Sequence, residues 1–169
     1  MTTPTNKSFL SPLGFDFAIK KLPTTNFFVT RANIPGFSLG VVETPNPFVK
    51  IPIPGDKIQF SDLQVTFKID EDMKNYLEIF NWIMGLGFPD NYGQYAEIKS
   101  KGKTTGDGIY SDASLTILTS AMNPNMEFTF RNAFPYSLTD VEFNTSSADV
   151  EYLEATVGLR YELFTVKSL

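Results

Sequence analysis

Three stretches of strict apolar–polar alternation constrain this chain more than anything else in it. Over 62–69, Leu63, Val65, Phe67 and Ile69 alternate with Asp62, Gln64, Thr66 and Lys68. Over 126–131, Met126, Phe128 and Phe130 alternate with Glu127, Thr129 and Arg131. Over 155–163, Ala155, Val157, Leu159, Tyr161 and Leu163 alternate with Thr156, Gly158, Arg160 and Glu162. A period of two sends successive side chains to opposite faces, so each stretch is a strand with one face on a core and one in water.

Weaker runs of the same kind fill in the sheet. Phe15, Phe17 and Ile19 alternate with Asp16, Ala18 and Lys20. Runs at 26–33, 37–43, 114–117 and 141–143 also read as strands. Pro35-Gly36, Pro54-Gly55-Asp56 and Met122-Asn123-Pro124-Asn125 are turn signals, and Ala133-Phe134-Pro135 breaks a run. One segment follows a different period: Met73, Tyr76, Leu77, Phe80, Ile83 and Met84 recur at three and four residues. Asp70-Glu71-Asp72 precedes it, where a helix start favours negative charge and a cap acceptor, and Gly85 and Gly87 close it. Trp82 and Ile79 lie off that stripe, so Trp82 is expected to be partly exposed or covered by another chain.

The fold expected is mainly β. Two packed antiparallel sheets form a β-sandwich or half-barrel, with one α-helix at about 73–85 and extended loops. The 169 residues form one domain with no linker or repeat. At 18.9 kDa a compact fold exposes roughly 8,000 Å² of the roughly 27,000 Å² of its extended chain, enough to bury a core without staples. Residues 1–12 read as a flexible arm. Segment 44–57 holds four of the eleven prolines and so cannot be a central strand. It is either a long edge loop or an extended arm whose Phe48, Ile51 and Ile53 lie on a neighbouring subunit. Residues 88–112 are polar and glycine-rich, a long loop or hairpin with Lys99, Lys101 and Lys103 close together.

Composition removes most chemistry. With no His and no Cys there is no imidazole base, thiolate, disulfide or Cys/His metal site. Asp70-Glu71-Asp72 is explained by helix capping rather than a metal or glycosidase pair. The glycines of 102–108 lack the Gly-Lys-Ser/Thr ending of a phosphate loop. No catalytic, cofactor or metal residue is expected. A net charge of −5 has the wrong sign for gripping nucleic acid. No apolar run approaches 18 residues, and the N-terminus lacks a secretion signal, which together predict a soluble intracellular chain. The excess is aromatic: 16 Phe, 7 Tyr and one Trp. That leaves open a monomeric β-sandwich binding carbohydrate, although most of these rings fall at inward positions of the strands.

The order of the pieces is distinctive. Strands lead to a Pro-rich stretch, Ile53-Pro54-Gly55-Asp56, a strand over 62–69 ending at Asp70, one helix with Trp82-Ile83, and strands again. Phe130-Arg131-Asn132-Ala133-Phe134-Pro135 and a closing Glu154-Ala155-Thr156-Val157 with Tyr161 follow. From about Phe15 to Phe164 this resembles the tail tube protein family of contractile-tailed bacteriophages. The resemblance implies a structural virion protein, not an enzyme, whose subunits close into hexameric, ring-shaped β-barrels that stack inside a contractile sheath. It also implies partners: further copies of the chain, the sheath protein, the baseplate tube initiator, the tail terminator, and viral DNA passing through without specific binding. The location implied is the virion tail, and the host cytoplasm during assembly. Four strands from each of six subunits, about 4.8 Å apart and tilted about 40°, give a barrel roughly 48 Å across, wide enough for a duplex. A net-negative lumen is expected, since like charge keeps a polyanion from adhering. Within the same architecture, a baseplate ring or a type VI-like injection tube fits as well. The interface residues expected are Phe48, Ile51, Ile53 and Trp82.

Overall fold

In the computed structural model, residues 9–87, 92–93, 95–96, 99–100, 108–144 and 152–169 are described. The elements in chain order are β1 (Phe15–Ile19), α1 (Pro23–Phe27), β2 (Val29–Ala32), β3 (Phe37–Thr44), β4 (Ile51–Phe60) and β5 (Leu63–Lys68). Then come α2 (Lys74–Gly87), β6 (Ser111–Leu118), β7 (Pro124–Leu138), β8 (Glu154–Arg160) and β9 (Leu163–Ser168). All pairings are antiparallel. One sheet has seven strands in the order β1-β6-β7-β8-β5-β2, with β9 also on β7; β3 and β4 pair only with each other.

β7 is the axis of the fold. Its first half pairs with β9, Met126 to Arg131 against Ser168 to Leu163, and its second half pairs with β8, Phe134 to Leu138 against Arg160 to Val157. The alternating stretch at 155–163 is therefore two strands, because the chain turns at Tyr161-Glu162. There the Glu162 N–H donates to the Arg131 carbonyl at 3.1 Å. The turn changes parity: Ala155, Val157 and Leu159 point inward before it, Phe164 after it. β7 bends at the same level. Asn132 adopts φ 52°, its N–H donates to Asp112 Oδ1 at 3.1 Å, and its Nδ2 donates to Glu162 Oε2 at 2.6 Å. Left-handed backbone strains a residue with a Cβ, and Asn tolerates it better than most. Replacing Asn132 with Ala is expected to cost about 1–2 kcal/mol in chemical denaturation, with Asn132→Gly costing clearly less.

The core lies between the inner faces of this bent sheet and α2. Leu63, Val65, Phe67, Leu115, Phe130, Val157 and Leu159 are essentially inaccessible. The strict alternations become strands with Leu63, Val65, Phe67, Phe128, Phe130, Ala155, Val157 and Leu159 inward as expected, whereas Met126 and Leu163, also expected inward, are exposed.

Other expectations shift. The run at 26–33 begins as a helix, with Pro23 preset at its first turn; strand starts only at Val29. Asn26 caps the border of β1, accepting from the Ile19 N–H and donating to the Ile19 carbonyl, both at 3.1 Å. Val141 and Phe143 form no strand. Pro135 does not end β7, which runs on to Leu138 while changing partner. The described residues within 92–100 are helical, and β6 already begins at Ser111. The 1–12 arm mostly falls outside the described residues, as do Lys101 and Lys103.

The helix shows the clearest difference. α2 buries Asn75, Ile79, Trp82 and Gly85, while Leu77 and Phe80 stand 46% and 42% exposed. The inward face is thus the opposite of the stripe read from spacing. Asn75 decides the phase: its Nδ2 donates to the Lys68 carbonyl at 2.7 Å, and its N–H donates to Asp70 Oδ1 at 3.2 Å. Those bonds tie the first turn of α2 to the end of β5. With one face of the helix fixed there, Trp82, two turns on, enters the core.

Candidate self-assembly interface

β3 and β4 form a ribbon that leaves the body and is exposed at nearly every position. The Pro-rich segment 44–57 is therefore not a lone loop. It is the turn and second strand of a hairpin whose first strand starts at Phe37. Proline is tolerated here because each strand of a two-stranded ribbon has one free side. Pro52 and Pro54 stand opposite Glu43 and Val41. The ladder shifts between Leu39 and Val41, where Gly40 and Gly55 approach so closely that a Cβ on Gly55 would sit 2.7 Å from the Gly40 oxygen. Only glycine fits that crossing. At the tip, Asn46 Oδ1 accepts from the Phe48 N–H at 3.2 Å, and Lys50 pairs with Glu43 at 2.8 Å.

The ribbon carries apolar side chains into water. Phe48 is 96% exposed, and Val42, Ile51 and Ile53 are close to half-exposed. Val42 pairs with Ile53 and Thr44 with Ile51, so the two isoleucines share a face. The structure thus brings Phe48, Ile51 and Ile53 onto one projecting element. It separates Trp82 from them: Trp82 is 5% exposed, its Nε1 donates to the Ile109 carbonyl at 3.1 Å, and Lys21 lies over its ring. Trp82 is a core residue, contrary to its expected place at an interface. Sequence reasoning did not single out Val41 and Val42, which the ribbon also exposes at 65% and 60%; two adjacent valines in one strand, apolar on both faces, were the available signal.

The total surface makes the same point. The chain exposes 12196 Å², about half as much again as the roughly 8,000 Å² expected of a compact protein its size. Among the described residues, the ribbon's Val41, Val42, Phe48, Ile51 and Ile53 are prominent in the exposed apolar surface.

A polar collar holds the ribbon at its root. Asp62 accepts from Tyr136 Oη at 2.7 Å and from Arg160 Nε at 3.2 Å, and the Arg160 guanidinium lies over the Tyr136 ring. Tyr161 Oη donates to the Ser61 carbonyl at 2.8 Å, the Ser61 N–H to the Gly36 carbonyl at 2.9 Å, and Asn33 Nδ2 to the Asp62 carbonyl at 3.2 Å. Burial, and then the charge of Asp62, hold the Tyr161 phenol above its ordinary range. Beneath the collar the Phe60 ring packs on Phe164 and Tyr161, with centroids 5.4 and 6.0 Å apart. Replacing Asp62 with Ala is expected to cost about 1 kcal/mol or less, because the group is part-exposed. It should still speed amide exchange across Phe37–Phe60 while β5–β8 protection stays unchanged.

Beside the ribbon, the water-facing side of the seven-stranded sheet is rich in hydroxyls. Thr116, Thr129, Thr165, Ser114, Thr66 and Thr156 lie on it in register, the last two joined at 2.9 Å. The charges on this side are mixed in sign: Asp16, Asp112, Glu127 and Glu154 with Arg31, Lys68, Arg131, Arg160 and Lys167. Among the described residues no group of three or more Asp or Glu is placed to hold a metal ion, and no helix is long and apolar enough to cross a membrane.

Comparison with known proteins agrees with this architecture. The tail tube terminator protein of Enterobacteria phage T4 is 23% identical over 166 residues, covering 85% of this chain and 88% of its own. Two solved structures of an extracellular contractile injection system share the fold. One is the PVC sheath/tube terminator, with TM-score 0.65, 16% identity, and coverage of 96% of this chain and 99% of that one. The other is the PVC sheath–tube complex, with TM-score 0.62, 15% identity, and coverage of 99% and 100%. The phage tail tube protein family matches residues 1–167. This replaces the carbohydrate-binding reading: the chain belongs to the phage tail tube protein family, whose members are structural proteins rather than enzymes.

Proposed function

We propose that copies of this chain close into hexameric rings and stack into the inner tube of a contractile tail, through which viral DNA passes. The observation that carries this reading is the apolar β3–β4 ribbon, Phe37 to Phe60, held out from the body and, beyond its root, uncovered by the described residues of its own chain. Closing a ring would cover it, and pairing sheet borders would satisfy exposed strand edges. In this reading the hydroxyl-rich side of the seven-stranded sheet lines the bore. Its charges are of mixed sign, four carboxylates among five cations, rather than the acidic lining expected from composition. Hydroxyls and interspersed carboxylates break up the cations, so the wall offers a polyanion no continuous basic array to displace its counterions. Sheath, baseplate initiator and terminator would then contact the outside and ends of the tube, within the virion.

The similarity to a tail tube terminator favours a second role, a single ring that ends the tube. Negative-stain microscopy of the purified protein, alone and with preformed tube ends, separates the two. A repeating subunit extends the tubes; a terminator adds one ring and stops growth. A monomer of about 19 kDa that forms neither rings nor tubes, even when seeded, overturns both.

A further inference from the structure

α2 is apolar on two opposite faces. Ile79 and Trp82 enter the core, while Leu77 and Phe80, each close to half-exposed, and the less exposed Met84 lie about half a turn away. At 3.6 residues per turn these three fall in one row. A helix apolar all round is one that is covered all round, yet among the described elements α2 packs chiefly on β7 and α1.

We propose that this outward stripe of α2 receives the tip of the β3–β4 ribbon from a second copy of the chain. The inference rests on the ring-forming reading above and names the surface that the ribbon meets. Three features favour that occupant. The ribbon tip is the other large uncovered apolar element, with Phe48 fully exposed and Val42, Ile51 and Ile53 on one face. The spacings match: alternate strand residues stand about 6.8 Å apart, and helix residues four apart rise about 6 Å, so knobs of one meet gaps of the other. The contact is also of the right kind. Tip-on-helix is heterologous and can propagate or close a ring, whereas helix-on-helix or tip-on-tip would stop at a dimer.

The size of the contact has a consequence. Taking roughly 150–250 Å² for a fully exposed aromatic and scaling by exposure, the two surfaces together bury on the order of 800 Å². A stable pairwise interface buries about 1,600 Å². A single tip–helix contact is therefore too weak to hold two free subunits together. Repeated in every subunit of a ring it acts through effective concentration. Subunits would remain monomeric until a ring end presents several seats at once.

The chain contains no Cys, so introduced thiols are the only ones present. Phe48→Cys and Phe80→Cys together, assembled and treated with a short bis-maleimide, should give a ladder of covalent oligomers on a denaturing gel. Either single variant should give at most background dimer. If Phe48→Cys blocks assembly, Asn46→Cys beside the tip replaces it. Rings or tubes visible by microscopy with no cross-linking above the single variants would overturn the proposal and leave the tube reading intact. A cross-link that stays at monomer mass would also overturn it, since the occupant would be the chain's own ribbon. Absence of any assembly by the unsubstituted chain, even when seeded with tube ends, would instead overturn the tube reading. Independently, Leu77→Asp should slow seeded elongation at least about tenfold with the fold retained; unchanged elongation counts against the seat.

Discussion

Phe48→Asp combined with Ile51→Asp is expected to abolish assembly of a subunit that remains fully folded. Both side chains lie in water in the isolated chain, Phe48 at 96% and Ile51 at 44% exposure, and neither touches the core around Phe67 and Phe130. Substitutions at such positions usually change stability by no more than about 0.5 kcal/mol. For a protein this size that corresponds to roughly 2 °C in Tm. The effect on association has a different scale. Each apolar side chain buried at a contact contributes about 1.5–3 kcal/mol, and an unpaired carboxylate forced into the same place adds a desolvation penalty of several more. Every subunit of a ring would bear the loss, so growth from a preformed end should fall below detection. Circular dichroism and thermal melting check the fold; seeded elongation followed by light scattering checks assembly. Intact polymers would remove the ribbon from the interface. Unfolding would move Phe48 and Ile51 into the core.

Strands were legible in the sequence because alternation is a local signal that burial on one face enforces. Leu63-Val65-Phe67 and Ala155-Val157-Leu159 pair with each other in register, both sets inward. Failures arise where a long-range bond overrides the local pattern. The phase of α2 follows from the Asn75 side chain reaching the Lys68 carbonyl, and nothing in the helix announces it, since both of its faces are apolar. The bend of β7 depends on Asn132 meeting Asp112 from β6 and Glu162 from the β8–β9 turn. The helix at Pro23–Phe27 is favoured by Asn26 bonding to Ile19, which a β-rich composition hides. For the candidate interface, the prolines of 44–57 marked the projecting half of the ribbon. Its first strand was readable as β but not as part of the same arm. Trp82 was misplaced for the same reason as the rest of the helix. The collar at Asp62 joins residues 74 and 98 positions apart, beyond any sequence pattern.

Phe130→Ala carries the largest expected loss of stability. Phe130 has no solvent exposure and sits in β7 just before the bend at Asn132, opposite Ala113 on one side and Phe164 on the other. Its ring meets Tyr161 edge-on at 5.0 Å between centroids and Phe164 at 5.7 Å. Removing it leaves a cavity that the small neighbour Ala113 cannot fill. A cost of about 3–5 kcal/mol follows from lost transfer energy and lost packing, or roughly 10 °C in Tm. Denaturant titration should show a lower midpoint with an unchanged slope, the signature of lost stability rather than a changed endpoint. Phe130→Leu, which retains most of the volume, should cost markedly less. The same ring cluster supports the ribbon, since Phe37 and Phe60 rest on Phe164 at 6.4 and 5.4 Å. Phe130→Ala should therefore also loosen the ribbon root and quicken amide exchange over Phe37–Phe60. Asp62→Ala would reproduce that exchange effect with little loss of stability. If Phe130→Ala destabilises the fold and leaves ribbon exchange untouched, the root is held by the polar collar alone.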